Sequence, residues 1–365
     1  MQISLLDAIG QFGAMLQNSL FPAISEELGA LSSKQEQLIR TLTLLGLEGF
    51  TISRRGLVGR PGHDRSCIAR AFVAKAVYNF AHTRALIDRL NADLALRRLC
   101  GWETAAQVPD ETVFSRAFAG FAASEFPQRV HAALIEKTQK NRLVGHISRD
   151  ATAIEAREKA TPKPAPVAKV KQPRRKKGEP KRPDQMKRIE RQASMSLAEM
   201  MVDLPRCCDV GRKSNSKGNA QVWIGYKLHL DVADGQIPVS CILTSASLHD
   251  SQVALPLAAL TAQRVTNLYD LMDAGYDADG IRDHSRSLGH VPIIERVKRT
   301  EACVEMPKHE ASRYRDRTSV ERVYSRLKDE FGGRYVRVRG NAKVMAHLMF
   351  GLLALTVDQI LRLRT

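Results

Sequence analysis

Tyr314-Arg-Asp-Arg-Thr-Ser-Val-Glu-Arg-Val-Tyr-Ser-Arg-Leu-Lys328 is the stretch whose reading decides the rest of the chain. As a helix it carries Val320, Val323, Tyr324, Leu327 and, just beyond, Phe331 at three- and four-residue steps, an apolar stripe made for a core. Arg322, Arg326 and Asp329 fall on the far side, toward solvent. Along the border run Glu321, Ser325 and Lys328, joined by Arg317 if the helix starts early enough. A carboxylate set between cations beside a buried seam is costly unless something uses it. The same residues admit a plainer reading. Thr318-x-x-Glu321 ahead of an apolar run is a capping box, in which Glu321 closes the first turn. This stretch alone leaves both readings open.

The 365 residues suffice for two or three domains. Lys and Arg number 56 against 39 acidic residues, a net charge of +17, which calls for a polyanionic partner, nucleic acid first. A membrane surface is the rival, but no apolar run reaches the ~18 residues of a spanning helix. The start, Met1-Gln-Ile-Ser-Leu-Leu-Asp7, has no basic region of a signal peptide. The six cysteines form no Cys-x-x-Cys pair, and adjacent Cys207 and Cys208 make a poor bridge. They read as reduced thiols of a cytoplasmic protein, without a zinc site.

Residues 1–46 read as a helical segment. From 47 to 130 turn-rich basic stretches alternate with helical patterns around Ile68–Phe80, Leu86–Leu96 and Val113–Phe121. Arg65, Arg70, Lys75, Arg84, Arg89, Arg97 and Arg98, placed on their surfaces, suit a small DNA-binding unit; solvated arginines on an ordinary helical subdomain are the alternative. From 140 to 365 strand and helix patterns alternate. Leu143–Asp150 is a strand ending on a carboxylate. Trp223–Val232 and Ile237–Leu243, joined at Asp234-Gly235, form a hairpin. His249-Asp250 is expected to cap a following helix, with a polar contact near the active centre as the alternative. Val265–Met272 is a strand that runs into Asp273-Ala-Gly-Tyr-Asp277, the second terminal carboxylate, and His290–Ile294 is the last strand. Between about 155 and 220 lies a Pro/Lys-rich island holding Arg174, Arg175, Lys176 and Lys177, read either as a phosphate-tracking arm or as a solvated linker. The apolar run Val344–Leu363 is expected to be a core helix.

The order strand, hairpin, helix, strand, helix, strand, helix predicts an α/β fold with a mixed sheet flanked by helices. Asp150 and Asp273 at strand ends and Glu321 on the later helix would converge as a hard-oxygen site suited to Mg²⁺ or Mn²⁺. Two such ions ~3.5–4 Å apart serve in-line displacement at a nucleic-acid phosphate. Without ions, three clustered carboxylates would repel one another.

Four stretches carry a resemblance. Tyr314, Arg317, Glu321 and Lys328 stand at the spacing of a Y-R-E-K signature. His146–Thr152 and Asp273–Asp277 match two acidic segments, and Gly59–Pro61 with Leu90–Arg97 and Pro109–Thr112 matches a helical domain that precedes them. Over roughly Gly59 to Leu361 the chain resembles bacterial insertion-sequence transposases of the DDE type, which have a ribonuclease H-like catalytic domain. The resemblance implies a ribonuclease H-like mixed β-sheet preceded by a helical N-terminal domain. It makes Asp150, Asp273 and Glu321 the catalytic ligands of two Mg²⁺ (or Mn²⁺). Tyr314, Arg317 and Lys328 would hold terminal phosphates, and Arg334, Arg337, Arg339 and Lys343 further backbone, with a solvated face as the alternative for these four. The expected partner is double-stranded DNA, both element ends and target, bound by a homodimer on paired ends in the bacterial cytoplasm at the nucleoid, with no membrane. Some relatives insert a β domain between the second Asp and the Glu; the span Asp273–Glu321 is too short for one. Three other functions stay open: a metal-dependent nuclease without strand transfer, a retired transposase kept as a DNA-binding protein, and a polyanion-binding scaffold whose binding is salt-sensitive but indifferent to element ends.

Overall fold

Side-chain caps divide the N-terminal half into helices. The computed structural model describes residues 11–51, 62–162, 186–214, 219–296 and 306–363. Its first helices are Phe21–Leu28 (α1), Ser33–Leu45 (α2), Arg65–Val77 (α3), Thr83–Ala92 (α4), Leu94–Cys100 (α5), Glu111–Ala123 (α6) and Phe126–Gln139 (α7). Ser32, Asp64, His82, Asp93 and Asp110 each accept a hydrogen bond from a first-turn N–H of α2 to α6 respectively. Asp93 therefore ends α4 and opens α5, so the Leu86–Leu96 pattern is two helices. Two of the seven cations expected on these surfaces are buried. Arg97 donates to the carbonyls of Leu90 and Asn91, both at 3.0 Å, and Lys75 lies within α3 at 8% exposure.

The sheet begins with Leu143–Glu155 (β1), which runs five residues past Asp150 because Ala151–Ile154 continue the pairing. Two short helices, Arg188–Gln192 (α8) and Leu197–Asp203 (α9), and a strand not foreseen, Asp209–Ser214 (β2), follow. The folded part of the basic island is thus larger than its composition suggests; Arg174, Arg175, Lys176 and Lys177 lie outside the described residues. Next come Ala220–Ala233 (β3), Ile237–Ser245 (β4), Ala254–Ala262 (α10), Thr266–Met272 (β5), Asp279–Ser287 (α11) and Val291–Ile294 (β6). β3 pairs antiparallel with β1, β2 and β4, while β5 pairs parallel with β1 and with β6. Gly225, at φ +154°, is where β3 passes from β2 to β4; a Cβ there would stand 2.1 Å from the Ile154 carbonyl oxygen.

Helices cover both faces. Lys308–Tyr314 (α12), a tight turn through Arg315–Thr318 and Ser319–Asp329 (α13) form one nearly continuous helical path. On the α13 side Leu228, Leu230 and Val232 of β3 share a core with Val320, Val323, Tyr324 and Leu327. On the other side α9, α10 and α11 supply Met200, Leu255 and Ile281 against Met272 and Ile294. The last helix, Asn341–Arg362 (α14), is long and apolar enough to cross a membrane, yet 78% of its most apolar 18-residue stretch is buried in the protein. It packs against α2, α3, α6 and α7 as well as β4, so the helical half and the sheet share one continuous core. Phe350 of α14 stands 5.5 Å from the Phe72 ring of α3, centroid to centroid.

Candidate active site

Parallel pairing brings the first two acids together. The β1–β5 register ends at Arg149 opposite Met272, so Asp150 and Asp273 are the next residues on adjacent strands. They sit at the carboxyl ends of the parallel pairing, where open α/β sheets bind ligands. Asp150 is buried, and burial raises its pKa to about 6; the charge of Asp273 pushes the same way, against the Ala151 N–H, Lys213 and Arg317. No cation lies within ion-pair distance of the Asp150 carboxylate among the described residues. Asp273 is half-buried, and its Oδ1 accepts from the Gly275 N–H at 2.9 Å.

Alternate residues of β1 dock α13. The Ser148 hydroxyl donates to the Asp316 carbonyl at 3.1 Å and accepts from the Ser319 hydroxyl at 3.0 Å. The Tyr324 hydroxyl donates to the main-chain carbonyl of Asp150 at 2.6 Å and accepts from the Leu230 N–H at 3.1 Å. Lys328 donates to the Thr152 hydroxyl at 2.7 Å. Positions 148, 150 and 152 point to one face of the strand, so α13 lies along the face toward which Asp150 projects.

Glu321 stands one helical turn before Tyr324. It is not a capping residue: Thr318 is helical, makes no side-chain cap and donates instead to the Arg315 carbonyl at 3.1 Å. Glu321 is exposed and pairs with Arg317 across one turn at 2.7 Å. Among the described residues no three His, Cys, Asp or Glu side chains stand close enough together to hold an ion. The structure therefore sets Asp150 and Asp273 side by side, while Glu321 stands on the helix docked against β1, engaged by Arg317.

The other expected contacts divide. Tyr314, half-buried, donates to Glu295 at 3.2 Å, and Arg317 lies 5.8 Å from the Tyr314 ring centroid. Burial lowers the pKa of Lys328, and Arg334 adds to the shift. Arg334 itself pairs with Asp329, while Arg339 donates to the Arg157 carbonyl at 2.9 Å. Arg337 is exposed, but Arg326, expected in solvent, is tucked against α14, where it donates to Gln359 at 2.7 Å and pairs with Asp358. His249 does cap its turn, accepting from Ser251, whereas Asp250 pairs with Lys227 at 2.8 Å.

Several site residues were not legible from the motifs. Arg149, immediately before the first acid, is buried and grips Asp231 of β3 through two bonds of 2.8 and 2.7 Å, and Thr261 of α10 donates to the same carboxylate at 2.6 Å. Tyr276 lies buried near Asp250, Asp150 and Asp273, its hydroxyl without a hydrogen-bond partner among the described residues. Lys213 of β2 acts electrostatically on Asp150. In sequence Tyr324 looks like one more apolar-stripe residue; only its hydroxyl at a helical position facing a sheet hinted otherwise.

A mixed sheet with acids on neighbouring strands, under a helix bearing a third, defines the ribonuclease H-like class. A family model described as Transposase DDE domain matches residues 149–357, more than half of the chain, and one described as Transposase domain (DUF772) matches residues 36–119. The chain belongs to the DDE transposase family, whose members act on DNA and normally use divalent metals. No curated protein and no solved structure matches it.

Proposed function

We propose that the protein binds the ends of an insertion element, cleaves them by metal-dependent hydrolysis and joins the freed 3′-OH ends to target DNA. One observation carries the reading: Asp150 and Asp273 are neighbours at the end of a parallel strand pair, beneath the helix that carries Glu321. A buried carboxylate beside a second acid, without an ion-pair partner, is poorly placed until a cation joins it, so these residues fit a divalent ion. Two Mg²⁺ or Mn²⁺ held by Asp150, Asp273 and Glu321 would supply the activation of the attacking oxygen and the stabilisation of the leaving one.

This chain's own side chains do the rest. Glu321 exchanges its Arg317 partner for the site, which leaves the guanidinium free to meet a phosphate. Lys328, anchored on Thr152, holds a second phosphate along the same face, and Tyr314 packs at its rim. In the first reaction a water oxygen attacks the phosphorus and the bond to the 3′ oxygen breaks, leaving a 3′-OH. In the second that hydroxyl attacks a phosphorus of the target strand, the bond to the target's own 3′ oxygen breaks and that oxygen leaves as a hydroxyl, so no covalent bond to the protein forms. A homodimer would hold two ends together.

The test supplies pre-cut duplexes with 3′-OH ends, target DNA and Mg²⁺ or Mn²⁺. Joined product that disappears in Asp150→Asn supports the proposal. Cutting without joining favours a nuclease instead, and binding alone favours a retired DNA-binding protein.

A further inference from the structure

A second feature lies away from the acids. A cleft of about 790 Å³ opens between α3, α4 and α6 on one side and the segment around 331–347 on the other. Phe72, Phe118 and Phe350 form an aromatic floor, the first two with centroids 4.9 Å apart. Arg157, Arg337, Arg339 and Lys343 stand on its walls, all exposed. Among the described residues one carboxylate lines it, Glu111, and that is already paired with Arg84 at 3.1 Å. His347 donates to the Gly332 carbonyl at 3.0 Å; burial and the nearby Lys75 ammonium push its pKa down to about 3, so it is neutral and adds no charge.

Lys75 gives the cleft its meaning. The residue is 8% exposed and lines the cleft, and among the described residues its ammonium has no hydrogen-bond or ion-pair partner. Burial alone lowers its pKa to about 8, with no protein charge offsetting the cost. An ammonium kept in such a place, among further cations and over an apolar floor, lacks only an anion.

We propose that this cleft is a phosphate site, with Lys75 as its anchor, and that its occupant is a backbone phosphate of bound DNA. The site's existence rests on the geometry above; the choice of DNA rests on the function proposed for the acids. Cations connect the two places, since Lys328 sits on β1 at Thr152 and Arg339 meets the chain at Arg157, just past the strand's end. A backbone leaving the acids along α13 would pass from one to the next. The cleft would thus fix the path of DNA at a distance from the cut.

The experiment uses the full chain without divalent metal. Lysines are labelled with a limiting amine-acylating reagent and quantified one by one, alone, with inorganic phosphate, and with a short DNA duplex. Saturating DNA should reduce labelling of Lys75 about fivefold or more, as mass action on an occupied site requires, and phosphate should also protect it. Lys75→Met should lower the slope of log affinity for the duplex against log salt by about 0.9, one phosphate contact, while Lys75→Arg keeps it. No protection by either ligand overturns the site. Protection by phosphate but not DNA overturns DNA as the occupant and points to a small phosphorylated ligand. The labelling uses the wild-type chain, so a Lys75→Met that fails to fold does not blunt the test. Strand transfer with an unprotected Lys75 sinks this inference alone; a protected Lys75 without strand transfer sinks the transposition reading alone.

Discussion

The Tyr324 hydroxyl donates a 2.6 Å hydrogen bond to the main-chain carbonyl of Asp150, tying the helix of the third acid to the strand of the first. Tyr324 touches no reacting atom; it is a positioning residue. Tyr324→Phe keeps the ring in the core but leaves the Asp150 carbonyl and the Leu230 N–H without this partner. The expected loss is about 1–3 kcal/mol in urea unfolding. Cleavage should fall about ten- to a hundredfold as α13 loosens over the site. DNA affinity should change little. Unaltered cleavage in a folded Tyr324→Phe protein would remove the positioning role.

Glu321 must leave Arg317 to reach an ion, so that pair should compete with metal. Titrating Mn²⁺ by its effect on water proton relaxation, Arg317→Gln is expected to bind the ion about tenfold more tightly and Glu321→Gln about tenfold more weakly. Asp150→Asn should lose tight binding. Identical affinity in wild type and Glu321→Gln would mean that Glu321 takes no part in the site.

Behind the acids, Arg149 and Asp231 form a buried pair satisfied from several sides, with Thr261 completing the carboxylate. Removing one partner strands the other charge in the core. Arg149→Met or Asp231→Asn should each cost about 3–5 kcal/mol. The two together should cost less than the sum, as a double-mutant cycle on denaturation midpoints would register.

Acid should destabilise the fold early. Burial pushes the pKa of His131 down to about 3, that of His229 to about 4 and that of His347 to about 3. Each folded-state value lies below the ordinary 6.5, so the native state favours the neutral ring. The stabilisation is complete above pH 6.5 and drains away as the pH falls toward the folded values. Each histidine adds a slope of up to about 1.4 kcal/mol per pH unit. Urea midpoints measured from pH 7 to 5 should drop steeply, and less steeply in His131→Leu. A flat profile over that window counts against the burial described for these rings.

Lys75 makes the converse case. Its pKa is lowered from 10.5 to about 8, so the cost of burying its charge is complete below pH 8 and vanishes above about 10.5. Lys75→Met should therefore stabilise the free protein, by on the order of 2 kcal/mol at pH 7. The advantage should shrink as the pH rises from 8 to 10.5. Thermal unfolding of both proteins across that range measures it.

The sequence disclosed the elements better than their handshakes. Asp150 and Asp273 could be placed on strands from alternation and turn residues. That the strands are parallel neighbours ending in step depends on pairing across more than a hundred residues, which no local pattern records. β1 was read as stopping at Asp150 because a strand-ending acid is common; Ala151–Ile154 carry weak alternation that only the partner β3 makes decisive. The Thr318-x-x-Glu321 capping pattern was legible and did not form, since α12 runs through a helical turn into α13 and Thr318 is itself helical rather than extended as an N-cap is. Lys75 and Arg326 looked solvated because a helix face says nothing of what α14 will bring against it.

That final helix sets a condition on how the molecule is made. Residues 341–362 fill space among segments as early as 33–45, so an emerging chain lacks the wedge that closes its own first half until that helix has been synthesised. The early helices must wait with Phe72 and Phe118 uncovered, a state that invites association with other chains. Native architecture is reached only once residues 341–362 are free to pack, and a product stopped short of α14 would yield not a DNA-binding fragment but an open, sticky intermediate.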